Sequence, residues 1–424
     1  MSATPSTARA INDRLALGLL QSEGPLTAGQ LKQLTGLSRP TIADLVERLQ
    51  ESGLISVVGE SGAQRRGPNA RLYGIVADHA HLAALDVRQH SVSVLVADLL
   101  GRVLAEASAP VGADPGTAPT RAVALLERTA ERAGITAVHT VGVGAPGLVD
   151  PATAELRSGG GLPTWHHALL TALHQRFPAR VTVENETNLA ALAELREGAA
   201  RGRDTFVLLW LGQGVGAAVV LDGALRRGAS GGAGEIGFLP VPGTGALPSV
   251  TSCGGGFHSL AGSGAVVELA ARHGVTATPD GAEPHAAALV RAAVAAGGPD
   301  ADGPPAPADA FLDELAGRIA VGAAAVTAVL DPGCVVLGGE VGRAGGAVLA
   351  ERVGARLATL SPLRTEVRAG ELGGTAVLRG ALCTARDAAQ DELFAPQPPA
   401  VDGVKALVRN SSKVSRPIAR SGVR

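Results

Sequence analysis

One order of elements is written twice in this chain. Residues 82–87, 91–97 and 102–106 read as three consecutive strands, followed by an amphipathic helix at 119–133 and a strand at 138–143. Residues 205–211, 215–221 and a short strand at 224–227 repeat that order, with helices to about residue 330 and a strand at 334–337. A strand-rich unit repeated at this length predicts an α/β body of two similar lobes with a cleft between them.

Residues 11–53 carry a different pattern, that of three short helices. Ile11, Leu15 and Leu19 recur every four residues, with Leu20 beside them, and predict one apolar face that ends at Gly24-Pro25. Thr27 and Gln30 form a capping-box pair before a second helix expected to place Leu31 and Leu34 in a core. Thr35-Gly36-Leu37 reads as a tight turn. Ser38 caps a third helix that tolerates Pro40 in its first turn, runs to about Glu51, and carries Ile42, Leu45, Val46 and Leu49 as one stripe. Strands at 53–58 and 71–76 flank a polar stretch at 59–68. Three helices followed by a hairpin with basic residues near its tip is the winged helix-turn-helix arrangement, in which the third helix enters the major groove.

Composition narrows the chemistry. The net charge of −2 gives no chain-wide basic surplus, so any nucleic-acid contact must come from a local patch. Aromatic residues are 2% of the chain, too few for stacking platforms on single strands. Lys32, Lys405 and Lys413 are the only lysines, which leaves almost no candidate for a phosphate-binding lysine. Cys253, Cys334 and Cys383 lie far apart and form no disulfide framework, as expected of a cytoplasmic protein. No secretory signal or membrane span is expected. From about residue 395 the chain is Pro-rich and then basic, and reads as a disordered tail.

Four segments then carry a family resemblance: Gly142-Val143-Gly144-Ala145-Pro146-Gly147-Leu148-Val149-Asp150, Val183-Glu184-Asn185-Glu186-Thr187-Asn188-Leu189-Ala190-Ala191, Leu211-Gly212-Gln213-Gly214-Val215-Gly216 and Gly234-Glu235-Ile236-Gly237. In this order, behind a winged helix-turn-helix, they resemble the ROK family, which groups sugar-responsive repressors with sugar kinases. The resemblance implies an α/β chain with an N-terminal winged helix-turn-helix (1–78) and an actin-like, ribonuclease H-like two-lobed ATPase fold (79–394). The lobes are expected at about 79–185 plus 375–394 and at 186–374, with the tail at 395–424. It also implies a sugar pocket between the lobes and assembly into homodimers or homotetramers.

Phosphoryl transfer needs a cradle of backbone N–H groups, a metal and a base. The family's kinases carry Asp-x-Gly-Gly-Thr in the first phosphate loop, where this chain has Asp86-Val87-Arg88-Gln89-His90. Gln213 stands where they carry threonine in the second loop, and Glu340 follows Gly338-Gly339 in the adenosine-side turn. Their Asn-Asp pair, which holds the base, is Asn185-Glu186 here. Glu186 reads either as a displaced base or as a charge at the mouth of a helix beginning near Thr187. The combined losses predict a body that is not a kinase, with no cofactor.

The family's structural zinc site is reduced to Cys253, with His258 nearby. Phe238 stands at its histidine position, and Thr251 and Phe257 at two of its cysteines, so no metal is expected. Phe238 and Phe257 are expected to replace the metal by apolar packing. Of the sugar-contacting set Asn185, Glu186 and Glu235 remain, whereas Phe238 and Ser259 replace its histidine and final glutamate. These three are the candidate effector residues, for a sugar, for an altered ligand or for none, and Asn185 and Glu235 also read as residues that merely satisfy loop amides.

In the reader, Ser38, Arg39 and Thr41 sit at the start of the third helix, where side chains reach base edges and the helix end faces phosphate. Arg39 is a candidate for a guanine or a phosphate contact. Arg65, Arg66 and Asn69 in the wing are candidates for phosphate or minor-groove contacts, while Arg48 reads as a solvated or backbone-contacting charge. The partner expected is double-stranded DNA, with a protein-interaction module as the alternative. For the whole chain a DNA-binding regulator, a sugar kinase with an accessory DNA domain and a ligand-independent DNA-binding scaffold remain open.

Overall fold

The structure is a computed structural model and describes residues 5–61, 70–88, 91–111, 116–150, 152–153, 165–281, 283–297 and 306–395. The head is built from α1 (Pro5–Glu23), β1 (Leu26–Thr27), α2 (Ala28–Thr35), α3 (Arg39–Glu51), β2 (Ile55–Ser61) and β3 (Ala70–Ile75), with the strands in the order β1-β3-β2. Both expected caps form. Thr27 and Gln30 close the capping box of α2, and the Ser38 side chain accepts the Thr41 N–H at the start of α3. Gly36 ends α2 at φ +71°, a left-handed position that glycine adopts without strain. All four residues of the α3 stripe, Ile42, Leu45, Val46 and Leu49, are buried.

The first two helices differ from expectation. Ile11, Leu15 and Leu34 are exposed, and α1 buries the expected Leu20 together with Ala16 and Leu17. The cause is a second surface that α1 must cover. Its buried residues share one core cluster with Leu45 and Leu49 of α3 and with Leu99, Ala385, Ala389 and Phe394 of the body. The small Ala16 suits that two-sided face better than the bulkier Ile11.

The body carries two five-stranded sheets of identical topology. The first comprises β4 (His81–Val87), β5 (Ser91–Asp98) and β6 (Val103–Pro110), then α4 (Ala118–Arg132), β7 (Thr140–Ala145), α5 (Trp165–Arg176) and β8 (Arg180–Asn185), in the strand order β6-β5-β4-β7-β8. α6 (Glu186–Glu197) leads into β9 (Phe206–Leu211), β10 (Val215–Leu221) and β11 (Ala224–Arg226). Then come α7 (His258–Ala261), α8 (Ser263–Arg272), α9 (His285–Ala296), α10 (Pro307–Leu330), β12 (Cys334–Gly338), α11 (Gly339–Leu360), β13 (Glu366–Ala369) and α12 (Ala376–Leu393). The second sheet runs β11-β10-β9-β12-β13. In each sheet the first three strands are antiparallel and the last two join them in parallel.

β9 reads Phe206-Val207-Leu208-Leu209-Trp210-Leu211 and is buried throughout, as a central strand covered on both faces must be. α6 packs between the sheets and lies along α12. Gly380 of α12 makes that approach close: a β-carbon there would collide with the backbone of Leu189 in α6. At its far end α12 meets the head. Gln390 Nε2 donates to Gln21 Oε1 at 3.0 Å and to the Leu99 carbonyl at 3.2 Å, and Arg14 pairs with Asp391. Among the described residues, no helix is long and apolar enough to cross a membrane.

Candidate functional site

The reading end of the head is exposed and ordered by its cap. Ser38 and Arg39 are exposed and Thr41 is half-buried. The Ser38 and Thr41 hydroxyls lie 2.8 Å apart, which fixes both at the helix mouth. Arg39 is the first residue of α3, so its guanidinium projects from the end that favours negative charge. Arg48 is not a free charge: its Nη2 reaches Asp13 Oδ1 at 2.6 Å and ties α3 to α1. Arg65, Arg66 and Asn69 lie outside the described residues.

In the cleft, the ends of β4, β8, β9 and β12 bring four charged side chains together. Arg88 Nε contacts both Asp86 oxygens at 2.9 and 3.0 Å, and its Nη1 reaches Glu340 Oε1 at 2.6 Å across the two lobes. The guanidinium lies over the Trp210 ring, 5.5 Å from its centroid. Glu340 is the second residue of α11, and its other oxygen occupies the space a β-carbon on Gly212 would need. Of the glycines in the second phosphate loop, Gly212 is thus covered by the Glu340 carboxylate, whereas the space beside Gly214 is open.

Three carboxylates around one cation shape the local acidity. Burial raises Glu186 to about 7; Arg88 opposes that shift, while Asp86 and Glu340 add to it. Burial also raises Asp86, again against Arg88. Burial works against the charge on Arg88, yet Asp86, Glu186 and Glu340 together hold it above its ordinary value. Beside this cluster opens a cavity of about 540 Å³ whose lining includes Trp210, Glu283, Arg291, Glu340 and Arg343. Arg291 is held there by Glu283 at 2.7 Å.

The remaining candidates are placed as follows. Asn185 caps α6: its Oδ1 accepts the N–H groups of Thr187 and Asn188, and its Nδ2 donates to the Gly147 carbonyl at 2.9 Å. Its polar atoms are thus engaged by backbone. Glu235 and Leu148, from opposite lobes, both flank Gly232, and burial raises the Glu235 carboxyl. Phe257 is fully buried against Gly322 of α10, but Phe238 is 41% exposed, so only one of the two phenylalanines supplies the expected packing. The single 3-10 turn at Ile236–Phe238 packs Ile236 and then Leu239 against the core and leaves the Phe238 ring outside it. Ser259 Oγ accepts the Gly255 N–H at 2.8 Å. Among the described residues, no group of three or more His, Cys, Asp or Glu side chains could hold a metal ion.

Sequence reasoning missed three buried carboxylates: Asp98, which accepts the Leu100 and Arg102 N–H groups, Glu184 and Glu194. Glu184 accepts from the Asn185 N–H and Asn188 Nδ2, both at 2.9 Å, and from Arg227 Nε of the second lobe at 2.6 Å. Glu194 accepts the N–H groups of Ala199, Glu371 and Leu372 and anchors the loop after β13. Glu184 lies inside a segment already singled out. Glu194 had no signal beyond being an acidic residue in an apolar helix.

A winged-helix head mounted on a two-lobed, actin-like body defines the class of molecule. The chain belongs to the ROK family, whose profile matches residues 82–388; a MarR family profile matches residues 11–67. The xylose repressor of Caldicellulosiruptor bescii is 24% identical over 235 residues, 54% of this chain and 59% of its own length. The dual regulator NagC of Escherichia coli is 27% identical over 238 residues, 54% of this chain and 57% of its own. A glucokinase of Halalkalibacterium halodurans is 28% identical over 214 residues, 49% and 63% of the two chains. The chain thus spans about three fifths of the length of these relatives, and the family includes both regulators and kinases. A solved ROK family transcriptional regulator, described as a homologue of the E. coli MLC protein, superposes with a TM-score of 0.72 at 21% identity. That superposition covers 91% of this chain and 98% of the other, a likeness of fold.

Proposed function

We propose that this chain is a DNA-binding transcriptional regulator, of the repressor type, whose ROK body has given up phosphoryl transfer. The head occupies about 1–78 and the body 79–394, with a basic tail from 395, and the protein works in the cytoplasm as a homodimer or homotetramer. The observation that carries this reading is the Arg88–Glu340 pair, which sets a guanidinium at the first phosphate loop and a carboxylate against Gly212 of the second, while the reading end of α3 stays capped and exposed. The repressor relatives support it. The effector is carbohydrate-derived and meets the cleft near Glu186 and Glu235. With Asn185 engaged by backbone, fewer acceptors remain for a sugar's hydroxyls.

Duplex DNA is recognised through Ser38, Arg39 and Thr41, with Arg65, Arg66 and Asn69 on the backbone or minor groove. Arg39→Ala and Arg66→Ala should each weaken binding to duplex DNA in a gel-shift titration, and the double variant should flatten its salt dependence. Unchanged affinity and salt slope in the double variant would refute the assignment. One observation favours the second reading, a sugar kinase: Glu186, raised to about 7, has the acidity of a general base. ATP-dependent phosphorylation of a hexose by the full chain would establish that reading instead.

A further inference from the structure

The Arg88–Glu340 contact joins parts of the chain that belong to different lobes. Arg88 follows β4 of the first sheet, and Glu340 opens α11 behind β12 of the second. Three of the elements meeting at this point carry charges: Asp86 and Arg88 from β4 and its end, Glu186 from α6, Glu340 from α11. Arg343 on α11 and Arg291 on α9, paired with Glu283 just before that helix, stand at the adjoining cavity. Glu340 lies in the first turn of α11, which kinks at Gly346 and whose cap, Gly338, offers no side chain. One of its oxygens faces Arg88 and the other presses on Gly212.

We propose that Glu340 is a built-in anion: its carboxylate engages the Arg88 guanidinium beside Gly212 and so clasps the two lobes together with no ligand bound. This deepens the reading of the body as one that has given up phosphoryl transfer, and its test involves no DNA, so it stands or falls apart from the reader. Other pairs also join the lobes, Arg227–Glu184 near the start of α6 and Arg196–Asp387 and Arg379–Glu197 between α6 and α12, but none of them involves Arg88 or Glu340.

The test is an electron-paramagnetic distance measurement on the full chain carrying Cys253→Ser, with nitroxides on Arg128→Cys in α4 and Glu351→Cys in α11, both exposed positions on opposite lobes. Glu340→Ala should shift the distribution to longer and broader separations. Sodium acetate, which restores the missing carboxylate, should bring it back where equal sodium chloride does not. An unchanged distribution in Glu340→Ala, or a shift that acetate leaves in place, overturns the proposal. Should Glu340→Ala fail to give a cooperative melt, Glu340→Gln keeps the volume and removes the charge. It must then show the same lengthening, and an unaltered distribution overturns the idea equally.

Discussion

Glu186 shows how a single side chain can carry a function in one neighbourhood and a cost in another. Its carboxyl rises from 4.5 to about 7, so between those values the folded state holds a proton that the unfolded chain releases. Stability therefore falls as pH climbs from about 4.5 to about 7, and the deficit is complete above that. Glu186→Gln removes the titration. It should match the parent below pH 4.5 and exceed it by roughly 1–2 kcal/mol at pH 8, the pKa shift being discounted for partial exposure. Urea melts at the two pH values check this, and a constant difference between the proteins would contradict it. At this scale the sequence was informative about identity and silent about partners. Glu340 stood out as an acidic residue after Gly338-Gly339, but its counterion lies 252 residues away and no spacing rule connects them. Phe238 misled because a residue's apolar character does not say whether a core lies within its reach.

Among the elements, caps and stripes were legible wherever the signal was local. Thr27, Ser38 and the α3 stripe depend on neighbours three or four residues away, and all formed as read. α1 did not, because two competing apolar faces share one helix and the choice between them is made by residues of α12. β8 and β13 were not read as strands. Both are short, lie at sheet edges and are only partly buried, so their alternation is weak. The contact between α6 and α12 is the element-level feature most exposed to a small change. Gly380→Ala places a methyl group against the Leu189 backbone, which cannot swing aside as a side chain would. The expected loss is about 2–3 kcal/mol, read as a fall in urea midpoint at unchanged slope. A neutral outcome would mean that the helices are less tightly apposed than described.

For the molecule as a whole, the duplicated order of strands announced the two lobes, and the structure shows the two sheets with the same sequence of pairings. What the chain did not announce is the mounting of the head. Ala16, Leu17 and Leu20 belong to the same core as Ala385, Ala389 and Phe394, and Gln390 bridges both sides. Removing residues 1–78 uncovers that apolar surface. The remaining body should melt several degrees lower than the full chain, and the full chain should show one calorimetric transition covering head and first lobe. Two well-separated transitions, one of them unaltered by the truncation, would show the head to be an independent unit.

The mounting decides how any signal can be delivered. A head bolted to the last helix of the body shares the frame of the first lobe, so rotation of the second lobe moves relative to both, like a rotor against a stator. Any displacement of the second lobe would change what that lobe obstructs or touches, and would leave the reader's own grip on its base in place.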